Sequence, residues 1–157
     1  MKNRKWIGGA SLWFLALQAV MFFLTLIGIS CYFCGAEGIL DGIAILNLIL
    51  FFVGGYVLSR KLKSVRIHLI LILSLIWSVV LAVCIYFTRD LIGGLTWPYI
   101  VIAQTLFPAH FSGPQSEFVL NTLRPLLTAF SYVLVMAVFG IGMCVGKIVL
   151  LCERSSE

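Results

Sequence analysis

Charge is scarce in this sequence. Lysine, arginine, aspartate and glutamate make up 11% of its 157 residues, and five long runs contain none at all: Trp6–Ala36, Gly42–Ser59, Ile67–Thr88, Leu91–Ser116 and Pro125–Gly146. Histidine occurs only at 68 and 110 and proline only four times. No carboxylate lies deep in any charge-free run, which argues against proton-coupled transport and against aspartyl or metallo chemistry within them. No GxSxG, phosphate-binding loop or HExxH pattern is present, so the common hydrolase, nucleotide and zinc-protease readings have no residues to stand on. No internal repeat, low-complexity tract or inverted-repeat symmetry of the transporter kind is visible.

What is abundant is apolar surface. Hydrophobic residues form 62% of the chain, and the mean hydropathy is +1.12. A soluble domain of this length has too much exterior to hide that much apolar area, whereas a bilayer accepts an apolar exterior. A spanning helix needs roughly 20 apolar residues at about 1.5 Å rise each. The expectation is an all-α polytopic integral membrane protein, one membrane domain over residues 1–157. It is a four-transmembrane-helix bundle with spans at about 6–30, 40–59, 66–88 and 125–151. A structured outer loop, 89–124, joins the third span to the fourth. The segment after Lys2-Asn3-Arg4-Lys5 is far longer than the roughly 7–15 residues of a signal-peptide core, and reads as an uncleaved first helix.

The few charges are sided. Lys2, Arg4, Lys5, Arg60, Lys61, Lys63, Arg66, Lys147 and Arg154 fall on one side of this arrangement; the other side has Arg89 and Arg124 beside Glu37, Asp41, Asp90 and Glu117. The positive-inside rule then puts both termini in the cytoplasm. Compactness and short loops point to a bacterial inner (plasma) membrane. The net charge of +5 sits at the ends of apolar runs, where it meets lipid headgroups, so no nucleic-acid partner is expected. Arg60, Lys61, Lys63 and Arg66 are the headgroup-facing cluster, each such charge contributing about 1 kcal/mol near an anionic surface.

The run 91–107 is long enough to span, but Gly93-Gly94 and Pro98 interrupt it, and proline removes a backbone donor. A full crossing would also carry Lys147 and Arg154 outside. The expected arrangement is an interfacial or re-entrant segment, with Trp97 and Tyr99 in an outer aromatic belt.

Polar residues inside spans are costly and invite scrutiny. Gln18 and Asn47 are the intramembrane amides, expected to bond each other or a backbone carbonyl across helices; the alternative is that they line a path. Gly54, Gly55, Ala137, Gly140, Gly142 and Gly146 are candidate helix-packing positions, with Gly142–Gly146 a GxxxG and Gly38–Gly42 another.

Five cysteines are present. Cys31-Tyr-Phe-Cys34 forms a CxxC at the outer end of the first span. Four spans, cytoplasmic termini and a CxxC just outside the first span resemble the quinone-linked disulfide-generating membrane proteins of the DsbB type. The resemblance implies a thiol redox pair at Cys31 and Cys34. It covers the topology and four residues. That family's second cysteine pair has no counterpart in 89–124, and a relay to a partner needs one.

The function expected is that of a small non-catalytic membrane protein: an accessory or interaction subunit, with the bilayer and another membrane protein, or a second copy of itself, as partners. No cofactor and no metal is expected. The alternatives are an oligomeric channel or carrier lined by Gln18, Asn47 and the 97–105 segment, and an extracytoplasmic thiol redox protein.

Overall fold

A computed structural model describes residues 2–36, 38–61, 93–111 and 123–155. The expected third span, with His68, Ser74, Ser78 and Cys84, lies outside the described residues, as do Lys63, Arg66 and residues 112–122 of the outer loop. The described residues form four α-helices and one short 3-10 turn: α1 (Lys2–Phe33), α2 (Ile39–Lys61), α3 (Gly93–Leu106), a turn at Pro108–His110, and α4 (Arg124–Ser155). No strand occurs among them. Three helices, α1, α2 and α4, are long and apolar enough to cross a membrane.

Helix ends follow local chemistry. α1 has no proline to stop it and closes in a Schellman motif: Ala36 N–H bonds Cys31 C=O at 3.2 Å, Gly35 N–H bonds Tyr32 C=O at 3.0 Å, and Gly35 takes φ +89°. A residue without Cβ adopts that left-handed conformation at no steric cost. α2 carries Asp41 in its first turn and Arg60 and Lys61 in its last, complementing its dipole at both ends. Pro125 occupies the first turn of α4, where a missing N–H removes no intrahelical bond. α3 accommodates Pro98 in its interior and stops before Pro108.

Directions follow from the contacts. α1 and α2 are antiparallel: the Trp13 indole N–H bonds Gly54 C=O at 3.2 Å near one end, and Asn47 bonds Thr25 further along. α2 and α4 run parallel, since Phe51 stacks edge-on against Phe139 and Arg60 bonds both carboxylate oxygens of Glu153 at 2.8 and 2.9 Å. The N-terminal turns of α1 and the C-terminal turns of α2 and α4 therefore share one end of the bundle. α3 runs opposite to α2 and reaches the other end, where the Thr105 hydroxyl donates to Asp41 at 2.7 Å and Phe107 packs on Phe130. There Arg124 donates to Phe111 C=O at 3.1 Å with its guanidinium 5.4 Å from that ring, so the turn after α3 is pinned to the start of α4.

The core is aromatic and sulfur-rich: Met21, Phe51, Ile102, Tyr132, Val135, Phe139 and Met143 are all buried. Helices α2 and α4 approach closely. A Cβ added at Gly142 would lie 2.9 Å from Phe52 C, at Gly146 2.7 Å from Tyr56 O, and at Gly55 3.1 Å from Phe139 C. Backbone meets backbone there, as small residues permit.

Candidate functional site

The described interior holds no charge but is not wholly apolar. Thr25, Asn47, Ser59, Thr128 and Ser131 are buried among the hydrophobic side chains. Four of them satisfy themselves locally: the hydroxyls of Thr25, Ser59, Thr128 and Ser131 donate to carbonyls three or four residues back, at 2.8–3.0 Å. Such back-bonding is the ordinary fate of a hydroxyl in a helix.

A further set of polar contacts lines up between α1, α2 and α3. At one end Lys61 lies 5.5 Å from the Trp13 ring, and Trp13 donates to Gly54 C=O. Next the Tyr99 hydroxyl donates to Gln18 Oε1. Then Asn47 Nδ2 donates to the Thr25 hydroxyl at 3.3 Å, and at the far end Thr105 donates to Asp41. On α2 the participants are 61, 54, 47 and 41. The first three are seven residues apart and share one face. The line from 61 to 41 covers about 30 Å at 1.5 Å per residue, comparable with the thickness of a bilayer's hydrocarbon core. Asn47 is 0% exposed, and neither its Oδ1 nor Gln18 Nε2 has a hydrogen-bond partner among the described residues.

Gln18 and Asn47 thus lie on one seam but are bonded to different residues, not to each other. The aromatic pair expected in one belt is divided: Trp97 is 42% exposed, while Tyr99 is 2% exposed, its ring 4.7 Å from that of Tyr132. They are two apart on a helix, so they point in different directions. The helix containing them threads between α1, α2 and α4, with Val101, Ile102 and Ala103 buried. It does not lie flat across the bundle's end.

The glycines divide their work. Gly54 faces α1, where an added Cβ would lie 2.5 Å from Leu17 Cδ1, while Gly55 faces α4. Gly140 is buried with Gly142 and Gly146, but Ala137 and Cys144 face outward. Gly42, of the other GxxxG, has nothing within 4 Å of an added Cβ. Cys31 is half-buried and Cys34 exposed at the end of α1, both as free thiols. Arg60, from the basic cluster, is ion-paired to Glu153 and beneath it Tyr56 accepts a hydrogen bond from it at 3.2 Å. No group of three or more metal-ligating side chains occurs among the described residues.

Trp13 and Tyr132 are participants that the sequence did not single out, and it gave no sign that Asp41 pairs with Thr105. Glu153 carried a signal: it is an acid among cations at the basic end. Trp13 carried one too, as an indole about two turns from the basic N-terminus.

Among the described residues the fold is α-helical, with three helices long and apolar enough to cross a membrane. No family model, no curated protein and no solved structure matches the chain.

Proposed function

We propose that the chain is a small non-catalytic integral membrane protein of four spans, both termini cytoplasmic, that acts as an accessory or interaction subunit of a larger assembly in a bacterial plasma membrane. The observation that carries the interaction role is the uneven burial of the long helices. The apolar window of α1 is 22% buried inside the protein, against 44% for α2 and 39% for α4. Leu12, Val20, Phe23 and Ile27 face outward along it, a stripe at helical spacing free to meet a neighbouring helix as well as lipid.

The topology has its own support. Two parallel spans in one bilayer need an odd number of crossings between them, and α2 and α4 are parallel. The charge-free run 67–88 can supply one crossing. α3, about 21 Å long at 1.5 Å per residue, is shorter than a hydrocarbon core of about 30 Å and stays on the far side as a re-entrant segment packed among helices. Irregular entry into the membrane is tolerated when protein surrounds it. Among the described residues, the shared end of α1, α2 and α4 carries every basic residue but Arg124, the cytoplasmic signature. Lys61 and Lys147 there meet the headgroups.

Two measurements test this reading. In a background without native cysteines, a cysteine replacing the exposed Ala109 is expected to react with an impermeant maleimide added outside intact cells. Labelling only after the cytoplasm is opened would overturn the topology. Photo-crosslinkers at Leu12, Phe23 and Ile27 are expected to trap one discrete protein adduct, while one at the outward Leu126 on α4 gives lipid adducts alone. Lipid adducts at all four positions would remove the interaction role.

A second reading, an oligomeric channel or carrier, is favoured by the polar seam, which brings Gln18, Asn47, Tyr99 and Thr105 into one line. Solute flux through proteoliposomes of the purified chain separates the two, since an accessory subunit alone carries nothing.

A further inference from the structure

The seam leaves one acceptor and one donor unmet. Asn47 Oδ1 is a buried carbonyl oxygen whose own amide nitrogen is committed to Thr25. Gln18 Nε2 is a buried amide nitrogen whose own carbonyl oxygen is committed to Tyr99. Neither amide can turn over to satisfy itself. Rotating Asn47 would set its carbonyl oxygen against a Thr25 hydroxyl whose hydrogen is already given to Met21 C=O at 2.9 Å. Rotating Gln18 would turn its amide nitrogen toward the tyrosine oxygen and merely exchange one unmet atom for the other. Buried polar atoms in folded proteins are met by protein or by ordered water, and an unmet one forfeits the hydrogen bonds it had in water.

We propose that this seam is hydrated: ordered water donates to Asn47 Oδ1 and accepts from Gln18 Nε2, making the contact between α1, α2 and α3 a wet one inside an otherwise dry bundle. The occupant is small, because both atoms are shut off from the outside of the protein and a lipid chain cannot reach them. It is neutral, because the described interior offers no countercharge. It can donate at Asn47 Oδ1 and accept at Gln18 Nε2, the two unmet atoms being of opposite kind. Water satisfies all three conditions. Met21, between Gln18 and Thr25 on the inner face of α1 and 1% exposed, lies along the seam. Met143, 0% exposed, lies at the glycine-packed α2–α4 contact, where no unmet polar atom occurs among the described residues. The two methionines are equally buried to within 1%.

The test uses the intact wild-type chain in lipid nanodiscs. Brief radiolysis in ¹⁸O-water, read by mass spectrometry, oxidises buried side chains where bound water is activated beside them. Met21 is expected to take up ¹⁸O several-fold faster than Met143. Equal, slow rates at both would overturn the proposal. Asn47→Leu is expected to slow labelling at Met21 and leave Met143 unchanged; labelling of Met21 that is undiminished in this variant would equally overturn it. If that variant does not fold, water-to-side-chain magnetisation transfer in the ¹⁵N-labelled wild type replaces it. The Asn47 and Gln18 amides are then expected to receive water polarisation, and a dry pair would sink the idea.

Discussion

Isoleucine at Gly142 or Gly146 is expected to destroy the folded bundle, while isoleucine at Gly42 leaves it standing. All three belong to GxxxG patterns, so the sequence offers no reason to separate them. The structure does. A Cβ at 142 meets the backbone of Phe52, and one at 146 meets the Tyr56 carbonyl and the Ser59 hydroxyl. Backbone cannot step aside as a flexible side-chain tip can. Overfilling a packed interior costs about 1–3 kcal/mol even where neighbours can shift. Here α2 and α4 must separate, which also pulls apart Phe51 and Phe139. At Gly42 nothing lies within 4 Å, so added carbon meets open space. Detergent-solubilised variants carrying a fluorescent tag, heated and passed through size exclusion, check this. Loss of the folded peak is expected for Gly142→Ile and Gly146→Ile, and a melting temperature near wild type for Gly42→Ile. If all three behave alike, the α2–α4 contact is not as described.

Phe51→Ala is expected to cost about 3–5 kcal/mol, the usual range for truncating a buried phenylalanine. The ring is fully buried and packs edge-on against Phe139, with centroids 6.3 Å apart and planes at 68°. The positive edge of one ring meets the negative face of the other. Much of the cost is the cavity left behind, and dispersion supplies most of it because water is not the competing solvent for a helix in lipid. Phe139→Ala is expected to cost a similar amount. The double variant should cost less than the sum, by about 0.5–1.5 kcal/mol, the coupling of an aromatic pair. Reversible unfolding in mixed micelles measures all three. Strict additivity would mean that the two rings do not interact. By contrast, Phe23→Ala, at an outward position on α1, is expected to change stability little.

Much of the helical architecture was legible in the sequence. The stretches 6–30, 40–59 and 125–151 are helical, within α1, α2 and α4, because charge-free apolar runs, a terminal glycine and a first-turn proline act locally. The segment 91–107 was legible as unusual for the same reason: Gly93, Gly94 and Pro98 are local signals. Where it goes was not. Proline argues against an undisturbed span, yet says nothing of whether the helix lies along an interface or threads among its neighbours, and burial of Tyr99, Ile102 and Ala103 depends on surfaces supplied by three other helices.

The amides show the same division. A glutamine and an asparagine inside apolar runs must find hydrogen bonds, and that need follows from residue type alone. Their partners, Tyr99 and Thr25, are 81 and 22 residues away, and no spacing rule links them. Gly54 and Gly55 are adjacent and alike in sequence, but a helix turns about 100° between neighbours, so one serves α1 and the other α4. The order of residues therefore fixes one-dimensional facts: where apolar runs begin and end, and at which ends the charges fall, since solvation and charge act on each segment separately. Which face of each helix meets which neighbour came from packing in three dimensions. That choice rests on the shapes of surfaces from distant parts of the chain coming into contact, and it alone makes a line of scattered polar residues into a seam.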